Sequence, residues 1–149
     1  MLRVHAVCIL ERIGNRDAMH PLCEVLSEDQ SPLTRHEAAF TLGQLGYRSS
    51  VPALVEAMLN DKSPIVRHES AVALSSLGDS SVRPELEKAI SDEDEDVSNS
   101  AFIAFEYLTH LDKKKNFAQG SVGKESKTDS ETSSRFGLHS KEFKHKLGK

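Results

Sequence analysis

Arg35-His36-Glu37 and Arg67-His68-Glu69 are two copies of one tripeptide, set apart by a fixed interval along the chain. Imidazole nitrogen and carboxylate oxygen are donors that iron, manganese and zinc accept, and two histidines with one carboxylate leave positions open on non-haem iron(II). That chemistry needs both copies to reach one point. If each tripeptide lies in the first two turns of a helix, and those helices stack about 10 Å apart, His36 and His68 point the same way. Adjacent residues differ by about 100° around a helix axis, so each His and its following Glu converge at the rim of a shared concave surface. The spacing therefore predicts four donors, His36, Glu37, His68 and Glu69, on one face. The plainer expectation is duplication alone, with both glutamates favourably placed near helix N-termini.

The interval from Arg35 to Arg67 organises the rest of residues 1–111 as well. Arg3, Arg35 and Arg67 recur at it, as do Leu10, Leu42 and Leu74, then Gly14, Gly46 and Gly78, then Leu22, Leu54 and Leu86. Four such registers mark an internal repeat. A further copy, one residue shorter, puts Ser98, Asn99 and Ser100 where Arg67, His68 and Glu69 stood; it keeps the helix and drops the polar motif.

Each period holds two helical stretches. In the first, Leu54, Ala57 and Met58 show the i, i+3, i+4 spacing of one apolar face. The second opens with Ser31-Pro32 or Ser63-Pro64, a capping hydroxyl followed by a proline that fits the first helical position, and closes at Gly46 or Gly78. Small residues at 38, 39, 70, 71 and 73 allow close approach, and Leu42, Leu45, Leu74 and Leu77 supply a buried stripe. Paired helices at this period describe an all-α solenoid of about three and a half repeats. The first copy begins in the second helix of a pair and leaves Val7 and Ile9 without a covering layer, which predicts a missing segment or a partner.

Composition agrees with that reading. Of the 149 residues 38% are apolar, 28% charged and 5% aromatic, with no Trp, a poor basis for a barrel or sandwich. The formal charge of −4 hides a split, −10 for residues 1–112 against +6 for residues 113–149. From residue 112 the chain is a Lys, Ser and Gly mixture with scattered apolar residues, expected to be a disordered basic tail following a repeat domain at 1–111. No apolar run is long enough to cross a bilayer, and no secretory signal opens the chain, so a cytoplasmic location is expected. Cys8 and Cys23 lack CxxC spacing and read as reduced, buried thiols.

The segments 31–46 and 63–78, each running Ser-Pro, Arg-His-Glu, small residues, Leu and Gly in one register, resemble the His-Glu repeats of deoxyhypusine hydroxylase. Arg3 to Gly14 is similar to that family's preceding repeat, and the acidic stretch before Ser98 to its motif-free closing repeat. The resemblance covers about residues 1–111. It implies a HEAT-like helical-repeat protein that uses iron and dioxygen to hydroxylate the deoxyhypusine side chain of a translation factor. It further implies His36, His68 and Glu69 as iron ligands, with Glu37 as a nearby or substrate-facing carboxylate for the substrate amine. The family carries four His-Glu pairs in two facing halves and binds two irons; this chain has two pairs and one site. A fragment or short isoform, a homodimer that rebuilds the pair, and an inactive form all accommodate that departure.

Two other classes compete. A HEAT-like scaffold would use the concave face for a protein partner and hold no metal. A relative of the phycobiliprotein lyases would share short helical repeats without needing paired His-Glu motifs. No Ser or Cys triad, phosphate-binding loop or specific nucleic-acid domain is present, and His5, His20, His110, His139 and His145 lack the repeated context.

Overall fold

The computed structural model describes Ala6, Val7, Ile9 and residues 16–120, the side chains of 16 and 118–120 excepted. Among these, six α-helices alternate with short 3-10 turns: α1 (Met19–Glu28), α2 (Pro32–Leu45), α3 (Val51–Asn60), α4 (Pro64–Leu77), α5 (Arg83–Ala89) and α6 (Glu95–Gly120). No strand occurs among the described residues. The pairs α1/α2, α3/α4 and α5/α6 each form a hairpin, and the second helices pack in sequence, α2 on α4 and α4 on α6. This is the all-α solenoid that the repeat predicts.

Register explains the packing. Leu22, Leu54 and Leu86, equivalent members of the first helices, are all fully buried. On the second helices the equivalent positions Ala38, Ser70 and Ala101 are fully buried, and so are Thr34, Val66 and Val97 to within 2%. A row of small side chains thus lies where consecutive helices approach most closely. Gly43 extends it: a Cβ there would stand 2.9 Å from the Ala73 Cβ and 3.0 Å from its Cα. That contact requires a glycine on α2, a constraint absent from the periodicity reading.

Helix ends follow the sequence with one exception. Pro32 and Pro64 occupy first-turn positions, and Ser31 accepts a hydrogen bond from the Thr34 amide at 3.4 Å. Ser63 makes no such cap, while in both repeats the aspartate two residues earlier accepts from the serine amide, Asp29 from Ser31 and Asp61 from Ser63, each at 2.8 Å. Gly46 and Gly78 end α2 and α4 with φ of 73° and 64°, the left-handed geometry that favours glycine. In the third repeat the shortened interval puts Thr109 at that terminating position. Without a glycine stop the helix continues to Gly120, well past the boundary expected at 112, with Lys113 to Phe117 exposed. The remainder of the expected tail, residues 121–149, lies outside the described residues.

Two further expectations resolve at this level. Val7 is buried, not uncovered, whereas Ile9 remains 53% exposed. Cys23 is a free, half-buried thiol whose pKa burial pushes up, and Cys8 lies outside the described residues.

Because the Gly43 contact meets backbone as well as side chain, Gly43→Ala should force α2 and α4 apart at a stability cost of about 1–3 kcal/mol. Thermal unfolding by circular dichroism checks this; an unchanged midpoint would contradict the close approach.

Candidate metal and substrate site

Each His-Glu pair follows an arginine that is itself fixed. Arg35 donates from Nε and Nη2 to both carboxylate oxygens of Asp61, at 2.7 and 2.8 Å, and from Nη1 to the Asp29 carbonyl at 2.7 Å. One repeat on, Arg67 does the same to Asp92 at 2.8 and 2.9 Å, and to the Asp61 carbonyl at 2.9 Å. Asp92 in turn accepts from the Asp94 amide, as Asp61 does from Ser63. Each bidentate fork therefore joins a second helix to the loop that begins the next one. Such planar pairing is strong and directional.

The carboxyls respond in character. Burial pushes Asp61 up, but the Arg35 hydrogen bonds, the Ser63 amide and the fields of Arg35 and Arg67 outweigh it and hold Asp61 below its ordinary value. Asp92 is likewise held down, chiefly by its hydrogen bonds to Arg67.

With the arginines fixed, the imidazoles reach across repeats. His36 Nε2 lies 3.3 Å from Glu69 Oε2, while its Nδ1 lies 3.8 Å from Glu37 Oε1 of the same helix. His68 turns the same way. Its Nδ1 lies 2.8 Å from Ser100 Oγ and 3.4 Å from the Asp96 carbonyl oxygen on α6. Allowing for the one-residue contraction, Ser100 holds the place in the third repeat that Glu69 holds in the second. Both histidines are half-buried and each reaches the next second helix, but through different ring nitrogens, Nε2 in His36 and Nδ1 in His68.

The convergence differs in detail from the expected four-donor arrangement. His36 contacts Glu69 across the repeat and, at longer range, its neighbour Glu37, whereas His68 is engaged by Ser100 and Asp96. Among the described residues no group of three or more His, Cys, Asp or Glu side chains stands close enough to hold a metal ion. The donor chemistry nevertheless fits one. The His36 Nδ1 is buried with no hydrogen-bond partner, one of two such side-chain atoms among the described residues beside Ser70 Oγ. An imidazole with a bare nitrogen and a facing carboxylate is an incomplete donor set, and leaving such a group unpaired is costly.

Apolar side chains frame the pairs. Leu33 and Phe40 lie one turn to either side of His36 and Glu37, and Ile65 and Val72 do the same for His68 and Glu69; all four are exposed. Ile103 continues the row on α6 at 66% exposure. The recurrence of Asp29, Asp61 and Asp92 at the repeat interval, shortened by one at its last step, was a signal for the arginine forks. Reading the motif of the last copy as lost missed Ser100.

Comparison with known proteins gives a consistent frame. The sequence pattern of HEAT repeats matches residues 19–106. The structure of human deoxyhypusine hydroxylase in complex with glycerol is similar at a TM-score of 0.68 and 29% identity, over 74% of this chain and 38% of that one. The present chain thus spans well under half of that enzyme. Epoxyqueuosine reductase, with a modified tRNA stem loop, is similar at a TM-score of 0.49 and 30% identity, over 51% of this chain and 20% of that one. No curated protein sequence matches.

Removing Asp61 strands the Arg35 charge in a part-buried site, so Asp61→Ala should cost about 3–5 kcal/mol, read by denaturant unfolding. Asp61 and Asp92 have folded pKa values below the ordinary 3.8. Their contribution is complete above that pH and is lost as pH falls through the lower folded values. Wild-type stability should therefore drop below about pH 4, with a shallower slope in Asp61→Ala; equal slopes would contradict the pairing.

Proposed function

The chain belongs to the HEAT-repeat family, and from that premise we propose that it is a deoxyhypusine-hydroxylase-like half-enzyme whose His-Glu face binds iron. The observation that carries the reading is the His36–Glu69 contact at 3.3 Å between successive repeats. The 29% likeness to human deoxyhypusine hydroxylase supports it. His36, His68 and Glu69 would hold one iron(II), a donor set of two imidazoles and one carboxylate. When bound, iron supplies reductive activation of dioxygen for hydroxylation of an unactivated carbon.

The chain's own residues do the rest. Glu37, 31% exposed beside His36, would pair with the amine of an aminobutyl-lysine side chain. The −10 charge of residues 1–112 draws a cationic side chain toward the face by Coulomb steering. Leu33, Phe40, Ile65 and Val72 surround the pairs with apolar surface that a partner would have to cover to exclude water. In this reading the protein substrate is the hypusine-bearing translation factor, in the cytoplasm. The second half of the site comes from a further segment, another chain or a second copy, and two irons require that half.

The competing reading is a non-catalytic scaffold that binds a protein through the same face. The observation in its favour is that the described residues bring no three donors together.

Anaerobic iron(II) binding by calorimetry separates the two. Wild type should bind one equivalent per chain, and His36→Ala and Glu69→Gln should each lose at least about tenfold in affinity with their helical content intact. Equal, negligible binding in all three would leave the scaffold. Sedimentation of the iron-loaded chain addresses the second half: a dimer supports pairing of two copies, and a monomer at all concentrations contradicts it.

A further inference from the structure

His36 and His68 reach equivalent places on the next helix but meet different chemistry there. His36 meets the Glu69 carboxylate, and His68 meets the Ser100 hydroxyl with the Asp96 carbonyl beside it. A backbone carbonyl oxygen accepts and never donates. A bare Nδ1 lone pair on His68 would face the Asp96 oxygen in repulsion. With the proton on Nδ1, that same nitrogen donates toward Ser100 Oγ at 2.8 Å and Asp96 O at 3.4 Å, and both contacts become attractive. In neutral imidazole the other nitrogen, Nε2, is then the bare one.

We infer that Ser100 is a positioning residue for His68: with the Asp96 carbonyl it fixes the Nδ1–H tautomer and the ring orientation, so that Nε2 is presented as the ligating nitrogen. Metal-binding histidines are generally held this way, one nitrogen on the metal and the other donating to an oxygen. Serine suits the place because its hydroxyl can accept from Nδ1–H, directing its own proton elsewhere, without adding a charge. A glutamate there, equivalent to Glu69, would supply a further carboxylate. Ser100 thus ends the row of carboxylates while keeping the last imidazole aligned.

The functional consequence rests on the iron-site reading, but the tautomer belongs to the metal-free chain and is measured separately. Two-bond proton–nitrogen spectra of the 15N-histidine-labelled, metal-free protein, above the imidazole titration, should show His68 with a protonated Nδ1 and a bare Nε2. In Ser100→Ala the His68 signals should move toward the Nε2–H form while those of His36 stay put, and Ser100→Thr should restore the wild-type pattern. Iron(II) affinity should fall about 10- to 100-fold in Ser100→Ala and return in Ser100→Thr. A wild-type His68 protonated at Nε2, or an unchanged His68 pattern in folded Ser100→Ala, overturns the inference. If Ser100→Ala does not fold, the wild-type spectrum and Ser100→Thr decide it. A Ser100-dependent Nδ1–H tautomer in a chain that binds no iron would retain the positioning role and defeat the iron site instead.

Discussion

The guanidinium of Arg35 spans two repeats, holding the Asp29 carbonyl behind it and the Asp61 carboxylate ahead, and Arg67 repeats the arrangement with Asp61 and Asp92. Apolar packing alone would let neighbouring hairpins slide, because leucine stripes are tolerant of small shifts. A bidentate fork is not: its two hydrogen bonds specify distance and angle together. Arg67 is 7% exposed, so its charge is kept from water and must stay paired. The residue after each arginine is the histidine, and the residue after that the glutamate. Whatever fixes the arginines therefore fixes the register of the polar face.

From that register follows the pairing of unlike positions on consecutive helices. His36 addresses Glu69 and not chiefly its own neighbour Glu37, because the ring is directed toward the next helix. Close approach of the helices is a precondition, and the row Ala38, Ser70 and Ala101 with Gly43 against Ala73 provides it. Bulkier residues along that row would carry the imidazole away from its carboxylate even with both motifs intact. The functional face is thus a product of packing below it and ion pairs behind it.

Much of this was legible in the sequence, and the rest was not for identifiable reasons. Leucines at 22, 54 and 86 and glycines at 46 and 78 announce helices, core and stops because their roles depend on local geometry and burial. His36 and His68 announce a common side of the stack because the repeat sets their backbone positions, although the ring nitrogen each turns to the next helix differs. Harder to see were interactions that cross from one repeat to the next. Asp29 and Asp61 recur at the interval of the arginines and Asp92 one residue short of it, but no local rule ties an acid of one repeat to an arginine of another. Ser63 looked like a cap, but its side chain accepts no hydrogen bond from the helix. Ser100 looked like the residue of a vanished motif, since a changed side chain at an equivalent position reads as loss until its neighbour is known. The compositional boundary at 112 carries no information on where the last helix stops, and α6 runs on to Gly120 with Thr109 where the earlier repeats have glycine.

The first crossing pairs the His36 imidazole with the Glu69 carboxylate, the second pairs the His68 imidazole with the Ser100 hydroxyl, and exposed Leu33, Phe40, Ile65 and Val72 surround both. The central claim is that the crossings at His36 and His68 form one metal-binding locus. Titration of the intact chain with cobalt(II), followed through paramagnetic effects on its histidine resonances, tests it most directly. The account predicts that His36 and His68 are perturbed together, at one equivalent, before His20 and His110. Perturbation confined to the other histidines, or of His36 without His68, would contradict it.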